Sequence, residues 1–208
     1  MIKKGDFVEI EFTAEVKSGE IFDTTDKEIA KKIGLKEEVK PIIFPVGYNF
    51  LLKGLEEDII GKEVGINYSV EISPEKAFGK RNPNLIQKVS IKIFNQNNIN
   101  PQRGMQFSFD GMIGRIISSS GGRVLVDFNH PLAGKYLVYN YKIIRKIEDI
   151  KEKFDSLQQL FFKKTFESEI KDNKIEVKVE KNFFPIFNAL KKRFEEILGF
   201  NILITQKE

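Results

Sequence analysis

The sequence contains no cysteine and no tryptophan, and its only histidine is His130. Without thiols the chain has no disulfide, no thiolate nucleophile and no thiolate metal site. The absence of cysteine also excludes a Cys–His pair, and the single imidazole makes any Ser–His–Asp triad depend on His130. No apolar run is long enough for a signal peptide or a membrane helix. We therefore expect a cytoplasmic protein with no metal, no cofactor and no membrane partner.

Charge and aromatic content constrain the partners further. The 34 basic and 30 acidic residues give a net charge of +4, and the lysines are interleaved with glutamates. This pattern is typical of a solvated surface, so we do not expect a nucleic acid as a partner. Phenylalanine, with 19 residues, must supply most of the aromatic mass for cores and for any pocket.

The N-terminal region alternates between apolar and polar residues. From residue 8 to 16 the even positions are apolar, which predicts a strand with one solvated face. Further strands are predicted at residues 42–46 and 66–72. A short helix is predicted from four apolar residues at helical spacing, Leu51, Leu52, Leu55 and Ile59. Three acidic residues of that helix are expected on its solvated face: Glu56, Glu57 and Asp58.

Residues 82–129, called the insert below, have a different rhythm. Short strands are predicted at residues 86–89, 91–94, 105–109 and 124–128, with turn-forming clusters between them. This indicates a small all-β unit. The alternation of residues 137–143 then predicts a strand that returns to the first sheet. The two ends of the insert are therefore expected to lie close together.

Beyond residue 146 the apolar period becomes helical. One broad face carries Ile150, Phe154, Leu157, Phe161 and Ile170, and a second carries Phe184, Phe187, Leu190, Phe194 and Ile197. Pro185 lies in the first turn of the second helix and Gly199 just past its end, as helix capping favours. With strands predicted at residues 175–179 and 200–204, residues 149–208 are expected to form a small α/β domain, called the C-terminal region below.

The apolar helix faces of the C-terminal region need a cover. It can come from the region's own strands, from the preceding domain or from a second copy of the chain. The last case predicts a homodimer through the C-terminal region, with an interface of phenylalanines: Phe154, Phe161, Phe187 and Phe194.

Five stretches carry a resemblance to a known family by their order and spacing. They are residues 19–25 (GEIFDTT), 44–47 (FPVG), 52–56 (LKGLE), 77–79 (AFG) and 129–134 (NHPLAG). Together they resemble the FKBP-type peptidyl-prolyl cis-trans isomerases, and more closely the long SlyD-like subclass found in bacteria and archaea.

The resemblance implies an α+β fold in which an FKBP-like antiparallel sheet wraps a short helix. It divides the chain into an isomerase domain at residues 1–81 and 130–148, an inserted β domain at 82–129 and a C-terminal α/β extension at 149–208. In SlyD-like proteins the insertion is the insert-in-flap domain, which binds unfolded chains. The implied function is a peptidyl-prolyl isomerase with chaperone activity on unfolded or nascent polypeptides that contain Xaa-Pro bonds.

The resemblance also implies an apolar proline-binding pocket. Its expected residues are Phe12, Phe22, Asp23, Phe44, Leu51, Leu52, Leu55, Phe78, Leu132 and Tyr139. Asp23 is the one acidic group, and Phe78 and Tyr139 are expected to line one cavity with it. Leu55 stands where the family commonly has tryptophan, and Phe78 where it has tyrosine. Periodicity alone would instead assign four of these residues to an ordinary core: Phe12, Leu52, Leu55 and Tyr139.

Within the insert, the resemblance implies a surface that captures clients. The residues expected to bind them are Ile86, Val89, Ile91, Phe94, Met105, Phe107 and Met112. Some of these side chains must instead fill the insert's own core. The metal-binding tail of SlyD, rich in His and Cys, is absent, so nickel is not expected.

Two other functions stay open. The first is a holdase that keeps the fold but turns over poorly, which an assay of a proline-containing tetrapeptide would distinguish. The second is a ribosome-associated or RNA-associated adaptor, whose binding would be sensitive to salt. Its contacts would be the cations of the C-terminal region: Lys163, Lys164, Lys191, Lys192 and Arg193.

Overall fold

The computed structural model describes residues 1–36, 38–109 and 111–207. They form two compact units, one made of Met1–Ile72 with Leu137–Glu208 and the other of Ser73–Tyr136. Largely antiparallel sheets with a few helices confirm the predicted α+β class. No helix in the described part of the chain is both long enough and apolar enough to cross a membrane.

The elements are numbered in chain order. The strands are β1 (Phe7–Val16), β2 (Ile21–Thr24), β3 (Ile42–Pro45), β4 (Asn67–Ile72), β5 (Ile86–Ser90), β6 (Gln106–Phe109), β7 (Met112–Ser120), β8 (Arg123–Asp127), β9 (Leu137–Ile147), β10 (Glu167–Lys171), β11 (Lys174–Val179) and β12 (Asn201–Gln206). The α-helices are α1 (Lys27–Lys32), α2 (Lys53–Ile59), α3 (Ile91–Gln96), α4 (Ile150–Phe162) and α5 (Phe184–Leu198).

The main sheet of the first unit has the order β2-β1-β9-β4, and β3 also pairs with β1. All of these pairings are antiparallel. The alternation predicted for β1 is confirmed, because Val8, Ile10 and Ala14 are completely buried. Helix α2 packs next to β4 and buries Leu55 and Ile59 completely, which confirms the predicted short helix.

The C-terminal region shares a hydrophobic core with the main sheet. Strands β11 and β12 are parallel and joined through α5, and β10 pairs antiparallel with β11. Phe7 of β1 and Ile147 of β9 are buried in the same cluster as the apolar faces of α4 and α5. The helix faces predicted to need a cover are therefore covered within the chain, by the region's own strands and by the main sheet.

The phenylalanines expected at a homodimer interface are part of this core. Phe154, Phe187 and Phe194 have no exposed surface, and Phe161 is partly buried against the same cluster. The assignment of Phe154, Phe187 and Phe194 to that interface was therefore wrong, because one chain already buries these three side chains. The phenylalanine-rich helix faces meet each other rather than solvent.

One turn of the C-terminal region was missed from the sequence. Ile170 was assigned to the first helix face, but it lies in β10. The turn between β10 and β11 is formed by Asp172 and Asn173, both with positive φ angles, of 45° and 62°. Asp and Asn tolerate this conformation, which two-residue hairpin turns require. The Asp-Asn pair was the available signal for a hairpin.

The second unit contains a sheet with the order β5-β8-β7-β6. The strand predicted at residues 91–94 was wrong, because Ser90 accepts a hydrogen bond from the Lys92 N–H (3.3 Å) and caps helix α3. Strand β7 was not predicted. The ends of the insert are held together: the Asn82 N–H donates to the Asn129 side chain (2.8 Å), whose amide donates to the Asn82 carbonyl (3.0 Å).

Candidate functional site

Three aromatic rings meet on β1, β2 and β9. The ring centroids of Phe12 and Tyr139 are 5.5 Å apart, and those of Phe22 and Tyr139 are 6.2 Å apart in an edge-on arrangement. Strand pairing explains the gathering, since Ala14 of β1 lies opposite both Asp23 and Tyr139. Phe12 and Tyr139 are nearly buried, while Phe22 is partly exposed. The structure thus brings together four residues of the predicted pocket.

Asp23 introduces the one acidic group into this cluster. Its residue retains solvent exposure, yet neighbouring protein atoms remove part of its hydration and raise the pKa of its carboxyl group. The Thr24 N–H donates to Asp23 (2.8 Å) and opposes that rise. Burial, followed by the nearby Asp23 charge, also raises the pKa of the Tyr139 hydroxyl. Tyr139 therefore presents a neutral hydroxyl group at physiological pH.

Two threonines fix the backbone of Phe12. The Phe12 N–H donates to the Thr25 hydroxyl (2.8 Å), and the Phe12 carbonyl accepts the Thr25 N–H (2.9 Å). The Thr24 hydroxyl also donates to that carbonyl (3.1 Å). Both threonines are nearly buried, at 2% and 8% exposure, so these bonds are shielded from water. The sequence analysis assigned no role to Thr24 or Thr25, although both belong to the GEIFDTT stretch.

The other predicted residues of this unit differ in accessibility. Phe44 and Leu55 are completely buried, so they support the cluster from within the core. Leu51 and Leu52 are partly exposed and lie just before α2. They lie at the end of the connection between β3 and this helix, and residues 47–51 of that connection are called the 47–51 loop below. Of this group, only Leu51 and Leu52 offer surface to a ligand.

A buried glutamate organises the 47–51 loop. Glu56 is only 3% exposed, so its predicted place on the solvated face of α2 was wrong. Its carboxylate accepts the backbone N–H groups of Gly47 (2.7 Å), Asn49 (3.1 Å) and Leu51 (2.7 Å). Gly47 and Asn49 have φ angles of 85° and 59°, a region that Gly and Asn tolerate. These two residues allow three alternate amides to point at one carboxylate.

Replacing Glu56 with glutamine is expected to lower the free energy of unfolding by about 1–3 kcal/mol, because the amide keeps one acceptor oxygen and leaves loop N–H groups unpaired. Urea unfolding of the two proteins measures the difference. The matched control is Glu57→Gln, which neutralises the next, exposed residue of α2 and should change stability by about 0.5 kcal/mol or less. Equal losses in both variants would contradict the assigned role.

Phe78 and Leu132 belong to the second unit, where Phe78 stacks on His130. Their ring centroids are 4.2 Å apart and the ring planes differ by 7°. The Leu132 N–H donates to Nδ1 of His130 (3.2 Å), so the histidine connects the two predicted residues. His130 therefore has a structural role within the NHPLAG stretch. The shared cavity of Phe78, Tyr139 and Asp23 stays a prediction.

The residues expected to bind clients differ in how far they are exposed to solvent. Phe94 is buried in the core of the second unit, and Val89, Ile91 and Phe107 are partly buried against that core. Ile86 is partly buried as well. Other apolar side chains of the insert are exposed, among them Met105 at 40%, Met112 at 48% and Ile113 at 69%. Sequence reasoning missed Ile113, which follows Met112 directly.

A shallow concavity of about 560 Å³ crosses β1, β9 and β4. Of the predicted pocket it includes only Phe12, and its other lining residues are mostly polar. They are Glu11, Thr13, Thr25, Asp26, Asn67, Tyr68, Ser69, Asn140, Tyr141 and Lys142. It shares Phe12 with the aromatic cluster, but its mostly polar lining does not match an apolar proline site.

The acidic side chains and the cations of the C-terminal region can be located as well. Among residues 1–36, 38–109 and 111–207, no three His, Asp or Glu side chains are grouped to hold a metal ion. Two of the cations considered for RNA binding have acidic partners: Lys164 pairs with Glu180 (2.7 Å), and Lys191 lies 3.9 Å from Glu195. What the aromatic cluster offers instead is apolar surface with one carboxylate and one neutral hydroxyl, which suits an uncharged ring-shaped side chain.

Comparison with known proteins places these observations in a family. The model of the FKBP-type peptidyl-prolyl cis-trans isomerases matches residues 1–108, and a model described as FKBP26, IF domain matches residues 87–132. A short-type peptidyl-prolyl cis-trans isomerase of Methanocaldococcus jannaschii is 40% identical over 146 residues, which is 69% of this chain and 92% of the relative.

Bacterial relatives match a shorter part of the chain. SlyD of Vibrio cholerae is 35% identical over 108 residues, 50% of this chain and 53% of the relative. A 16 kDa FKBP-type isomerase of Escherichia coli (strain K12) is 34% identical over 110 residues, 50% of this chain and 73% of the relative. The resemblance drawn from the five stretches is thereby confirmed: the chain belongs to the family of FKBP-type peptidyl-prolyl cis-trans isomerases.

Proposed function

We propose that this protein accelerates the isomerisation of Xaa-Pro bonds in unfolded polypeptides by binding the twisted amide at the aromatic cluster. The observation that carries the proposal is the convergence of Phe12, Phe22 and Tyr139 with Asp23 on three adjacent strands. Leu51 and Leu52 add the accessible apolar side chains of the same unit. Phe78 and Leu132, which belong to the second unit, stay predicted members of the pocket.

Such a pocket can catalyse without an acid or a base. Rotation about an Xaa-Pro bond must break amide resonance, which gives a barrier of roughly 18–20 kcal/mol. The twisted amide has lost its charge-separated resonance form, so a dry apolar site favours it over the planar amide. A millionfold acceleration requires about 8 kcal/mol of such preference. Asp23 contributes by accepting a hydrogen bond that orients the substrate.

The insert supplies client capture in this proposal. Met105, Met112 and Ile113 present apolar surface, and methionine adapts to varied sequences. Unfolded or nascent chains containing Xaa-Pro bonds are the partners. Homodimerisation through the C-terminal region stays a prediction, and its interface would have to use exposed side chains there, such as Ile186 and Leu203.

The deciding experiment is a protease-free assay of a proline-containing tetrapeptide. We expect catalysed isomerisation that is proportional to protein concentration. A rate equal to the uncatalysed rate, combined with suppression of aggregation of an unfolded protein, would establish the holdase instead. The exposed apolar side chains of the insert are the observation that favours this second function.

Asp23→Asn is expected to lower tetrapeptide turnover about tenfold at neutral pH, because a hydrogen bond to a charged acceptor contributes roughly 1.5 kcal/mol or more. Since burial raises the pKa of Asp23, wild-type turnover should fall as the pH drops through that raised value. The turnover of the variant should stay constant over the same range. The measurement is the pH profile of both proteins.

Stability should not fall in this variant. A raised pKa means that the folded state favours the protonated carboxyl, and this contribution is lost as the pH rises through that value. A neutral asparagine therefore keeps or increases the free energy of unfolding at neutral pH. Glu20→Gln, an exposed change in the preceding turn, is the control for both measurements. If Asp23→Asn shows the same fall in turnover with pH as the wild-type protein, the carboxylate is dispensable.

A further inference from the structure

The 47–51 loop is held from two sides by different parts of the chain. Its alternate amides, those of Gly47, Asn49 and Leu51, donate to the carboxylate of Glu56 on α2. The intervening side chains, Tyr48 and Phe50, pack against the core that contains α4 and α5 of the C-terminal region. One side of the loop thus contacts α2, and the other contacts the C-terminal region.

The contact with the C-terminal region is built around one guanidinium group. Phe50 meets Phe161 of α4 edge-on, with centroids 5.6 Å apart and an interplanar angle of 86°. Arg193 of α5 lies over both rings, 5.5 Å from the Phe50 centroid and 5.4 Å from the Phe161 centroid. Its Nη2 also donates to the Tyr48 carbonyl (3.4 Å). A planar guanidinium suits this arrangement because it can stack and donate at once.

We propose that Arg193 is a positioning residue for the isomerase site. Together with Phe161 it clamps the 47–51 loop and thereby holds Leu51 and Leu52 in the position that binds substrate. The proposal rests on the proposed function, in which these two leucines contact the proline segment. It assigns the C-terminal region a role in substrate binding. Because Gly47 is conformationally permissive, the contacts of the loop, rather than the preference of its backbone, must select one conformation.

The position of Arg193 separates this role from general stability. Arg193 is exposed, so truncating it opens no cavity in the shared core. The loop amides that donate to Glu56 alternate in sequence with Tyr48 and Phe50, which Arg193 contacts, so hydrogen exchange at these amides reports on the order of the loop. A loosened loop binds substrate less well because part of the binding energy must then order it. The effect is therefore expected in KM rather than in kcat.

The experiment compares Arg193→Ala with Lys192→Ala in the full chain. Lys192 is the preceding exposed cation of α5 and serves as the matched control. In Arg193→Ala we expect hydrogen exchange at the Asn49 and Leu51 amides to accelerate about two- to fivefold, and KM for a proline tetrapeptide to rise by a similar factor. The melting temperature and kcat should stay near the wild-type values. Lys192→Ala should change none of these quantities.

A double-mutant cycle with Phe50→Leu makes the test specific. If the clamp acts through the Phe50 ring, Arg193→Ala should have little further effect on loop exchange in the Phe50→Leu background. Unchanged exchange and KM in Arg193→Ala would overturn the proposal, as would an equal loss of protection throughout the unit. A wild-type protein without isomerase turnover would refute the proposed function, whereas the exchange measurement would still test the clamp.

Discussion

Replacement of residues 83–128 by a short turn is expected to slow the catalysed, proline-limited refolding of a protein by about two to three decades, roughly 3–4 kcal/mol, while tetrapeptide isomerisation stays within about tenfold. In the proposed function, a client held by the insert presents its prolines to the pocket of the same molecule at a high effective concentration. A tetrapeptide is too short to bind both the insert and the pocket. The ratio of the two rates is the measured quantity.

The structure suggests where to join the chain. Asn82 and Asn129 are hydrogen-bonded to each other, so keeping both and replacing only the residues between them preserves the base of the insert. A milder variant, Met112→Ser with Ile113→Ser, removes two exposed apolar side chains without deleting the fold of the insert. It should lower refolding catalysis by about tenfold and leave the tetrapeptide rate unchanged.

The outcomes divide cleanly. If both activities fall together in the deletion variant, the insert supports the pocket instead of supplying clients to it. If neither falls, Met112, Ile113 and the other apolar residues of the insert serve only its own packing. A loss of refolding catalysis alone is the result that the proposed function requires.

Strict alternation made the main sheet predictable. Strands β1 and β9 each bury one face, so their period of two is visible in the sequence. The apolar stripes of α4 and α5 are visible in the same way, at the helical period. The aromatic cluster was identified through the family resemblance. Periodicity alone assigned Phe12 and Tyr139 to the core, and their near-complete burial is consistent with that assignment too.

Glu56 illustrates why part of the site could not be predicted from the sequence. In the run Glu56-Glu57-Asp58 the three acids look alike, and only the path of the 47–51 loop decides which of them is buried. That path depends on left-handed backbone at Gly47 and Asn49 and on contacts with helices more than a hundred residues away. Pairings of this range leave no periodic signal. Strand β7 was missed for a related reason, since its serines at 118–120 are typical of a turn.

The sequence left three possible covers for the helix faces of the C-terminal region, and the core shared with the main sheet leads to the expected effect of Phe154→Ala. Phe154 has no exposed surface, and its ring lies 6.3 Å from that of Phe187 and 6.2 Å from that of Phe194. Truncating it should lower the free energy of unfolding by about 3–5 kcal/mol, as large cavities in cores do. Ile186→Ala, at a side chain that is 54% exposed, is the control and should cost about 0.5 kcal/mol or less.

Two spectroscopic probes can show whether the loss of stability extends to the main sheet. The five tyrosines are at residues 48, 68, 136, 139 and 141, so tyrosine signals come from outside the C-terminal region. Far-ultraviolet circular dichroism is dominated by α4 and α5, the longest helices described. Because Phe7 of β1 and Phe154 belong to one cluster, we expect both probes to shift to the same lower urea concentration in Phe154→Ala. A shift of the helical signal alone would mean that the C-terminal region unfolds independently. The main sheet would then remain folded after the C-terminal region has unfolded.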